Sequence, residues 1–140
     1  MEKLIKIKTG SRYETMGSYS RAVVVDNWVL VSNTAGRDPQ TQLIDDDITR
    51  QTQQVFHNLE QALVTAGASL ADTVFSRVYI QNPDDVPTVM QLVGERFRGI
   101  EPATTVTCPP LGSTVYKVEI ELTARLGASA ARVEERMVGG

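Results

Sequence analysis

The segment from Val115 to Arg125 alternates between apolar and polar side chains at almost every position. The first set is Tyr116, Val118, Ile120, Leu122 and Ala124, and the second is Val115, Lys117, Glu119, Glu121, Thr123 and Arg125. Successive side chains of a β-strand point to opposite faces of the sheet, so this pattern predicts a strand with one face in the core. The charged face must meet water or another subunit, which favours an oligomer.

Five further segments complete the predicted sheet. Arg21–Val25 and Trp28–Ser32 are rich in β-branched residues and are separated by Asp26 and Asn27, a pair that suits a two-residue hairpin turn. The other three segments are Lys3–Thr9, Asp72–Gln81 and Ala103–Cys108. The stretch Gly10–Ser20 is rich in Gly, Ser and Tyr and is predicted to be a loop.

Two helices alternate with the later strands. The first begins at Asp45–Asp47, whose carboxylates suit the free amides and the positive end of a helix dipole, and it ends before Gly67. The second opens at Pro83 and runs to about Arg98. The order β-β-β-α-β-α-β-β predicts a single α+β domain over residues 1–140, with a mixed sheet and both helices packed on one face.

The rare residues exclude several classes of function. The 140 residues include one cysteine, Cys108, and one histidine, His57, so no intrachain disulfide can form and the common zinc-ligand sets are out of reach. We interpret His57 as a solvated residue on the polar side of the first helix, and Cys108 as a small packed side chain. The net charge of −3 offers no basic surface for nucleic acid. No apolar run suits a membrane span and Met1–Lys6 lacks a secretory leader, so we expect a cytoplasmic protein that binds no membrane.

Glu119 and Glu121 share the charged face of the last predicted strand. One interpretation is that both carboxylates are solvated or paired with Lys117, Arg125 or Arg77. The other is that one of them lines a cleft between subunits, where it positions a water molecule or accepts a proton. The strand pattern leaves both interpretations open.

Five short segments follow one another in a characteristic order. They are Gly17–Val23 (GSYSRAV), Val29–Ser32 (VLVS), Gln51–Ser69, Pro102–Thr104 (PAT) and Val118–Glu121 (VEIE). They resemble the motifs G-x-Y-[ST]-x-A-V, V-x-[VT]-S-G, the long helix Q-x4-N-[LI]-x4-L-x-x-A-G, P-A-R and V-E-I-E of the RidA/YjgF family of reactive-intermediate deaminases. The resemblance covers roughly residues 15–126 and leaves 127–140 as a C-terminal tail.

The resemblance implies a chorismate-mutase-like α+β fold and a homotrimer with a cleft between neighbouring subunits. In that cleft, active members of the family hydrolyse a reactive enamine or imine to a carbonyl compound and ammonia, and they use no metal and no cofactor. By motif position, Glu119 matches the catalytic glutamate that holds a water molecule. Tyr19 and Ser32 match residues that bind the substrate, and Gln91 stands in the helix region where active members have an asparagine.

The chain departs from the family pattern where the substrate is held. Thr104 replaces the arginine that clamps the substrate carboxylate, Thr105 follows it, and Asn33 replaces the glycine after Ser32. A threonine hydroxyl carries no charge, whereas a guanidinium offers a bidentate fork. We therefore expect Thr104 and Thr105 to contact a ligand that is uncharged or differently anchored. Two functions stay open: an imine or enamine deaminase, and a non-catalytic trimer that binds a small metabolite or has a regulatory role.

We expect the chain to form a homotrimer, because the predicted cleft is built from two subunits and the charged strand face needs a partner or water. Light scattering should give about three times the chain mass of 15.4 kDa. A monomer at micromolar concentration would contradict the prediction of a cleft between subunits.

Overall fold

The computed structural model describes residues 2–139, which form six strands and three α-helices. In chain order these are β1 (Leu4–Ile7), α1 (Arg12–Gly17), β2 (Ala22–Val25), β3 (Trp28–Ala35), α2 (Ile48–Thr65), β4 (Thr73–Ile80), α3 (Val86–Arg96), β5 (Ala103–Thr107) and β6 (Val118–Arg125). Single 3-10 turns lie at Leu70–Asp72, Pro83–Asp85 and Ala128–Ala130. None of the helices in residues 2–139 has the length and apolar character that a membrane crossing requires.

The six strands form one sheet in the order β1-β2-β3-β6-β4-β5. The last strand in sequence, β6, lies in the middle and pairs antiparallel with β3 and β4. The pair β4–β5 is parallel and the pairs β1–β2 and β2–β3 are antiparallel, which confirms the predicted mixed sheet. Val25 pairs with Trp28 across a turn in which Asp26 has a φ of 53°, so the predicted hairpin is also confirmed.

Helices α2 and α3 pack on one face of the sheet and enclose the core. Buried apolar side chains come from both layers: Val55, Phe56, Leu59 and Leu63 of α2, Val89 and Val93 of α3, and Val29, Val31, Val78, Ile80, Val118, Ile120, Leu122 and Ala124 of the strands. The last four confirm that alternate residues of β6 point into the core. The carboxylate of Asp47 accepts the N–H of Arg50 at 3.0 Å and caps α2, and Gly67 follows that helix with a φ of 86°.

Three local predictions were wrong. The segment Gly10–Ser20 is not all loop, because it contains the six-residue helix α1. Both ends of this helix are capped: the Ser11 hydroxyl accepts the N–H of Tyr13, and Ser18 takes a left-handed conformation. Residues 115–117 lie outside β6, because the backbone groups of Val115 and Lys117 are bound by a buried side chain of α2 described below. Cys108 is exposed rather than packed.

Strand β3 continues to Ala35, three residues beyond its predicted end. Val31 pairs with Leu122 and Thr34 pairs with Ile120, so β3 carries one more residue than β6 over this stretch. Such a bulge re-aims the side chains next to it. Thr34 is turned into the core, and Asn33 is left on the opposite face of the sheet.

The buried side chain that joins α2 to the start of β6 is Gln51. Its Nε2 donates to the carbonyl oxygens of Asp45 at 2.9 Å and Val115 at 3.1 Å. Its Oε1 accepts the N–H groups of Lys117 at 2.7 Å and Val118 at 3.2 Å. The amide therefore binds four backbone groups, three of which belong to residues outside the strands and helices.

Replacing Gln51 by Ala should lower the free energy of unfolding by about 3 kcal/mol, since leaving buried backbone groups without partners costs about 1–3 kcal/mol each and water recovers part of the loss. Urea denaturation measures the change. Gln53→Ala is the matched control, because Gln53 is exposed on the same helix and its loss should cost less than about 0.5 kcal/mol. Equal losses for the two variants would contradict this role of Gln51.

Candidate functional site

Glu119 lies on the open face of the sheet, which is the face that α2 and α3 do not cover. Its neighbours Val118 and Ile120 point into the core, so its own side chain points the other way. In the register of the sheet Glu119 lies between Ala35 of β3 and Tyr79 of β4. Within residues 2–139 its side chain accepts one long hydrogen bond, from Asn33 Nδ2 to Glu119 Oε1 at 3.5 Å. The carboxylate is therefore partly buried without a strong partner.

Arg21 lies beside this carboxylate at the start of β2. Its Nη2 donates to the backbone carbonyl of Asn33 at 2.9 Å, and its guanidinium lies over the ring of Tyr19, 5.6 Å from the centroid. The buried Nε of Arg21 and the buried Oδ1 of Asn33 have no hydrogen-bond partner within residues 2–139. Buried polar atoms are normally hydrogen-bonded, so two unsatisfied atoms side by side are unusual and leave Arg21 and Asn33 with unused hydrogen-bonding capacity.

Partial burial raises the pKa of the Glu119 carboxyl above its ordinary value, because desolvation disfavours the charged form. The positive charge of Arg21 acts in the opposite direction and is the smaller effect. A carboxyl with a raised pKa takes up and releases a proton closer to neutral pH than an exposed glutamate does. That property suits a group that acts as both a base and an acid.

Ser32 and Tyr19 lie close to Arg21, so the structure brings these predicted residues together with Glu119. The Ser32 hydroxyl donates to the carbonyl oxygen of Ser20 at 2.7 Å, and the Ser32 N–H donates to the carbonyl of Arg21 at 2.9 Å. Ser32 therefore joins the start of β2 to the bulge of β3. We call Tyr19, Arg21, Ser32, Asn33 and Glu119 the Glu119 cluster.

Glu121, two residues further along β6, has a different environment. Its Oε1 accepts hydrogen bonds from Arg77 Nη1 at 2.9 Å and from the Tyr79 hydroxyl at 2.5 Å. Lys117 pairs with Asp46 at 3.1 Å rather than with either glutamate. Of the two interpretations of the glutamate pair, the ion pair with Arg77 thus describes Glu121 and does not describe Glu119.

Thr104 lies on the other face of the sheet, at the edge strand β5. Its hydroxyl is 2.7 Å from that of Ser76, a fully buried residue, and it donates to the carbonyl of Pro102 at 3.1 Å. It borders a groove of about 370 Å³ between α3 and β5, which we call the Thr104 groove. The walls of this groove are mostly apolar, and include Met90, Val93, Phe97 and Pro102.

The remaining predicted residues are separated from the Glu119 cluster in a single chain. Gln91 is exposed on α3 and does not border the Thr104 groove, whereas its neighbour Met90 does. Thr105 is exposed and pairs with Arg77 on the open face. One chain therefore places Glu119 and Thr104 on opposite faces of the same sheet.

A second cleft of about 600 Å³ lies between α2 and the segment before it, and is bordered by Asp38, Asp45, Arg50 and His57. His57 is exposed on α2, as predicted. In the described part of the chain, 2–139, no group of three or more His, Cys, Asp and Glu side chains is placed to hold a metal ion. The arginine in the Glu119 cluster is the feature that sequence reasoning missed, although Arg21 lies inside the GSYSRAV motif.

Comparison with known proteins identifies the family. A family model described as Endoribonuclease L-PSP matches residues 9–126. The chain belongs to this family, which is the RidA/YjgF family that the sequence motifs indicate. It is 30% identical over 133 residues to a human protein named 2-iminobutanoate/2-iminopropanoate deaminase, covering 91% of this chain and 95% of the human one. A rat protein of the same name is 32% identical over 125 residues, which is 86% of this chain and 89% of that protein.

Solved structures agree with this assignment. A member of the YjgF/YER057c/UK114 family from Mycobacterium tuberculosis has a TM-score of 0.80 and 32% sequence identity, over 89% of this chain and all of the other. A Rid-family protein from Yersinia pestis has a TM-score of 0.80 and 27% identity over the same shares of the two chains. The six-stranded mixed sheet with its helices is therefore a YjgF/RidA fold.

Glu119→Gln should make the protein more stable near neutral pH. A carboxyl whose pKa is higher in the folded state than in the unfolded state loses stabilisation as the pH rises through the folded pKa. The gain on substitution should therefore be present at about pH 7 and disappear at about pH 4, where the carboxyl is largely protonated in both states. Urea denaturation at the two pH values measures it.

Glu121→Gln is the matched control, because it removes an ion pair instead of an unpaired carboxylate. It should lower stability at about pH 7 by at most about 1 kcal/mol, since the pair is partly exposed. A loss of stability in Glu119→Gln at neutral pH would contradict the assigned environment of Glu119.

Proposed function

We propose that this chain hydrolyses a small reactive imine, or the enamine in equilibrium with it, to a carbonyl compound and ammonia, with Glu119 as the catalytic residue. The observation that carries the proposal is the environment of Glu119: a partly buried, unpaired carboxylate beside two buried polar atoms without partners. The family supports the reaction class, because relatives that match over most of this chain are named as imino-acid deaminases.

The chemistry requires proton transfers that one carboxyl group can perform. Glu119 accepts a proton from a water molecule as the water oxygen bonds to the imine carbon. It passes this proton to the nitrogen, which gives a carbinolamine. Glu119 then takes the proton of the carbinolamine hydroxyl and delivers it to the nitrogen as the carbon–nitrogen bond breaks, so the carbonyl forms and ammonia leaves. An enamine first gains a proton on carbon and becomes the imine. The raised pKa of the Glu119 carboxyl suits this alternation between base and acid.

The proposed site lies between subunits of a homotrimer. Glu119 and Thr104 occupy opposite faces of one sheet, so the Glu119 cluster of one subunit can meet the Thr104 groove only of a neighbour. The open face also exposes large apolar side chains, with Trp28 at 41% and Leu30 at 47% exposure, which an interface would cover. In this arrangement the apolar groove receives the short side chain of the substrate.

A second candidate function is supported by Thr104 itself. Its hydroxyl is already engaged with Ser76 and Pro102 and brings no charge to the groove. A trimer that binds a small metabolite without turnover, as a regulatory or carrier protein, would need no anchor of the family type. Nucleic acid is not a proposed ligand, because the net charge is −3.

Glu119→Gln should reduce the release of ammonia from imines by at least about a hundredfold, the usual contribution of a general acid–base group. Imino acids generated in solution by an amino-acid oxidase serve as substrates, together with imines that lack a carboxylate. The rate is measured above the spontaneous hydrolysis.

Glu121→Gln should keep most of the activity, because Glu121 is bound to Arg77 and Tyr79. Equal losses in the two variants would contradict the role of Glu119. A wild-type protein that binds these compounds without accelerating hydrolysis would favour the non-catalytic function.

A further inference from the structure

We propose that Arg21, rather than a side chain at position 104, binds the carboxylate of the ligand. The inference rests on the proposed function and names the residue that anchors its ligand. It moves the anchor from the edge strand β5 to the start of β2, on the same face of the sheet as Glu119.

Arg21 is a partly buried cation with no carboxylate within ion-pair distance in residues 2–139. Among the other cations, Arg77 pairs with Glu121, Arg96 with Glu60, and Lys117 with Asp46. The half-buried Arg37 has two of its donors bound to neutral oxygens, the Gln42 carbonyl and the Tyr116 hydroxyl. Taking a charge out of water without a counter-ion is costly, so the unpaired guanidinium favours an anionic ligand.

The guanidinium is held in a defined orientation. Its central carbon lies over the ring of Tyr19, 5.6 Å from the centroid, and the carbonyl of Asn33 accepts one of its five N–H donors at 2.9 Å. A planar fork fixed in this way can bind a carboxylate through two parallel hydrogen bonds. The bulge of β3 contributes to this arrangement, because it places the Asn33 backbone against Arg21 and the Asn33 side chain against Glu119.

The position of Arg21 also matches the size of a 2-imino acid. In such a molecule the imine carbon is bonded directly to the carboxylate carbon, so the anchor and the group that positions water must lie close together. Asn33 contacts both groups: its backbone carbonyl accepts from Arg21 Nη2 at 2.9 Å, and its Nδ2 lies 3.5 Å from Glu119 Oε1. A carboxylate held by Arg21 therefore places the reacting carbon next to the water that Glu119 would activate.

Two other arginines are weaker candidates for the anchor. Arg77 is on the open face but is already bound to Glu121 at 2.9 Å. Arg98 borders the Thr104 groove, but it is exposed, so water compensates its charge without a ligand. Arg77 provides a matched control, and Arg98 is the competing anchor that the test must exclude.

The experiment measures the dissociation constants of 2-oxobutanoate and of its uncharged amide, 2-oxobutanamide, by NMR titration of the trimer or whatever assembly the full chain forms. We expect wild type to prefer the acid over the amide, and Arg21→Gln to bind the acid about tenfold to a hundredfold more weakly, as the loss of a charge-assisted hydrogen bond implies. The amide should bind to Arg21→Gln within about twofold of wild type. Arg77→Gln should bind the acid within about twofold of wild type.

Several results would overturn the assignment: unchanged acid binding in Arg21→Gln, a selective loss in Arg98→Gln, or no saturable binding of the acid at millimolar concentration. If Arg21→Gln does not fold, two other measurements test the anchor. Arg21→Lys keeps the charge but loses the planar fork, so it should bind the acid severalfold more weakly than wild type. Wild type itself should bind the acid more tightly than the amide. Carboxylate binding that depends on Arg21 in a protein without turnover would refute the proposed catalysis and keep the anchor. Imine hydrolysis that is insensitive to Arg21→Gln would refute the anchor and keep the proposed catalysis.

Discussion

The rest of the structure depends on the alternation of side chains along β6. This strand lies in the middle of the sheet and is hydrogen-bonded to β3 and β4, so every other residue must face the helices and the residues between them must face away. Val118, Ile120, Leu122 and Ala124 supply the floor of the core. The same geometry obliges Glu119 and Glu121 to share the open face, where β3 and β4 bring side chains to each of them.

Those neighbouring strands give the two glutamates different chemistry. On the β4 side Glu121 receives hydrogen bonds from Arg77 and Tyr79, and its charge is compensated. On the β3 side Glu119 faces Ala35 and the long contact from Asn33, so burial is not offset by strong hydrogen bonds. Desolvation then raises the pKa of the Glu119 carboxyl. A carboxylate and an arginine that lie near each other without forming an ion pair are the basis of both the proposed catalysis and the proposed anchor.

Much of the fold was predictable from neighbouring residues, because its signals are local. The turn at Asp26, the cap at Asp47 and the helix end at Gly67 each depend on residues within one turn of the chain. The helix α1 was not predicted, since six residues held by their caps carry too little periodicity to recognise. The role of Gln51 was equally hidden, because its partners at Val115, Lys117 and Val118 lie 64 to 67 residues away in sequence.

The sequence by itself determined the strand and helix faces, the charged position of Glu119 and Glu121, and the family, because periodicity and motifs are properties of contiguous residues. Only the tertiary structure decided that Glu121 is paired and Glu119 is not, that Arg21 lies beside Glu119, and that Thr104 lies on the opposite face of the sheet. These outcomes depend on strand order and register, which join residues as distant as Asn33 and Glu119, 86 positions apart. No local pattern encodes which strands become neighbours, because the free energy of pairing arises from contacts that exist only after the sheet has formed.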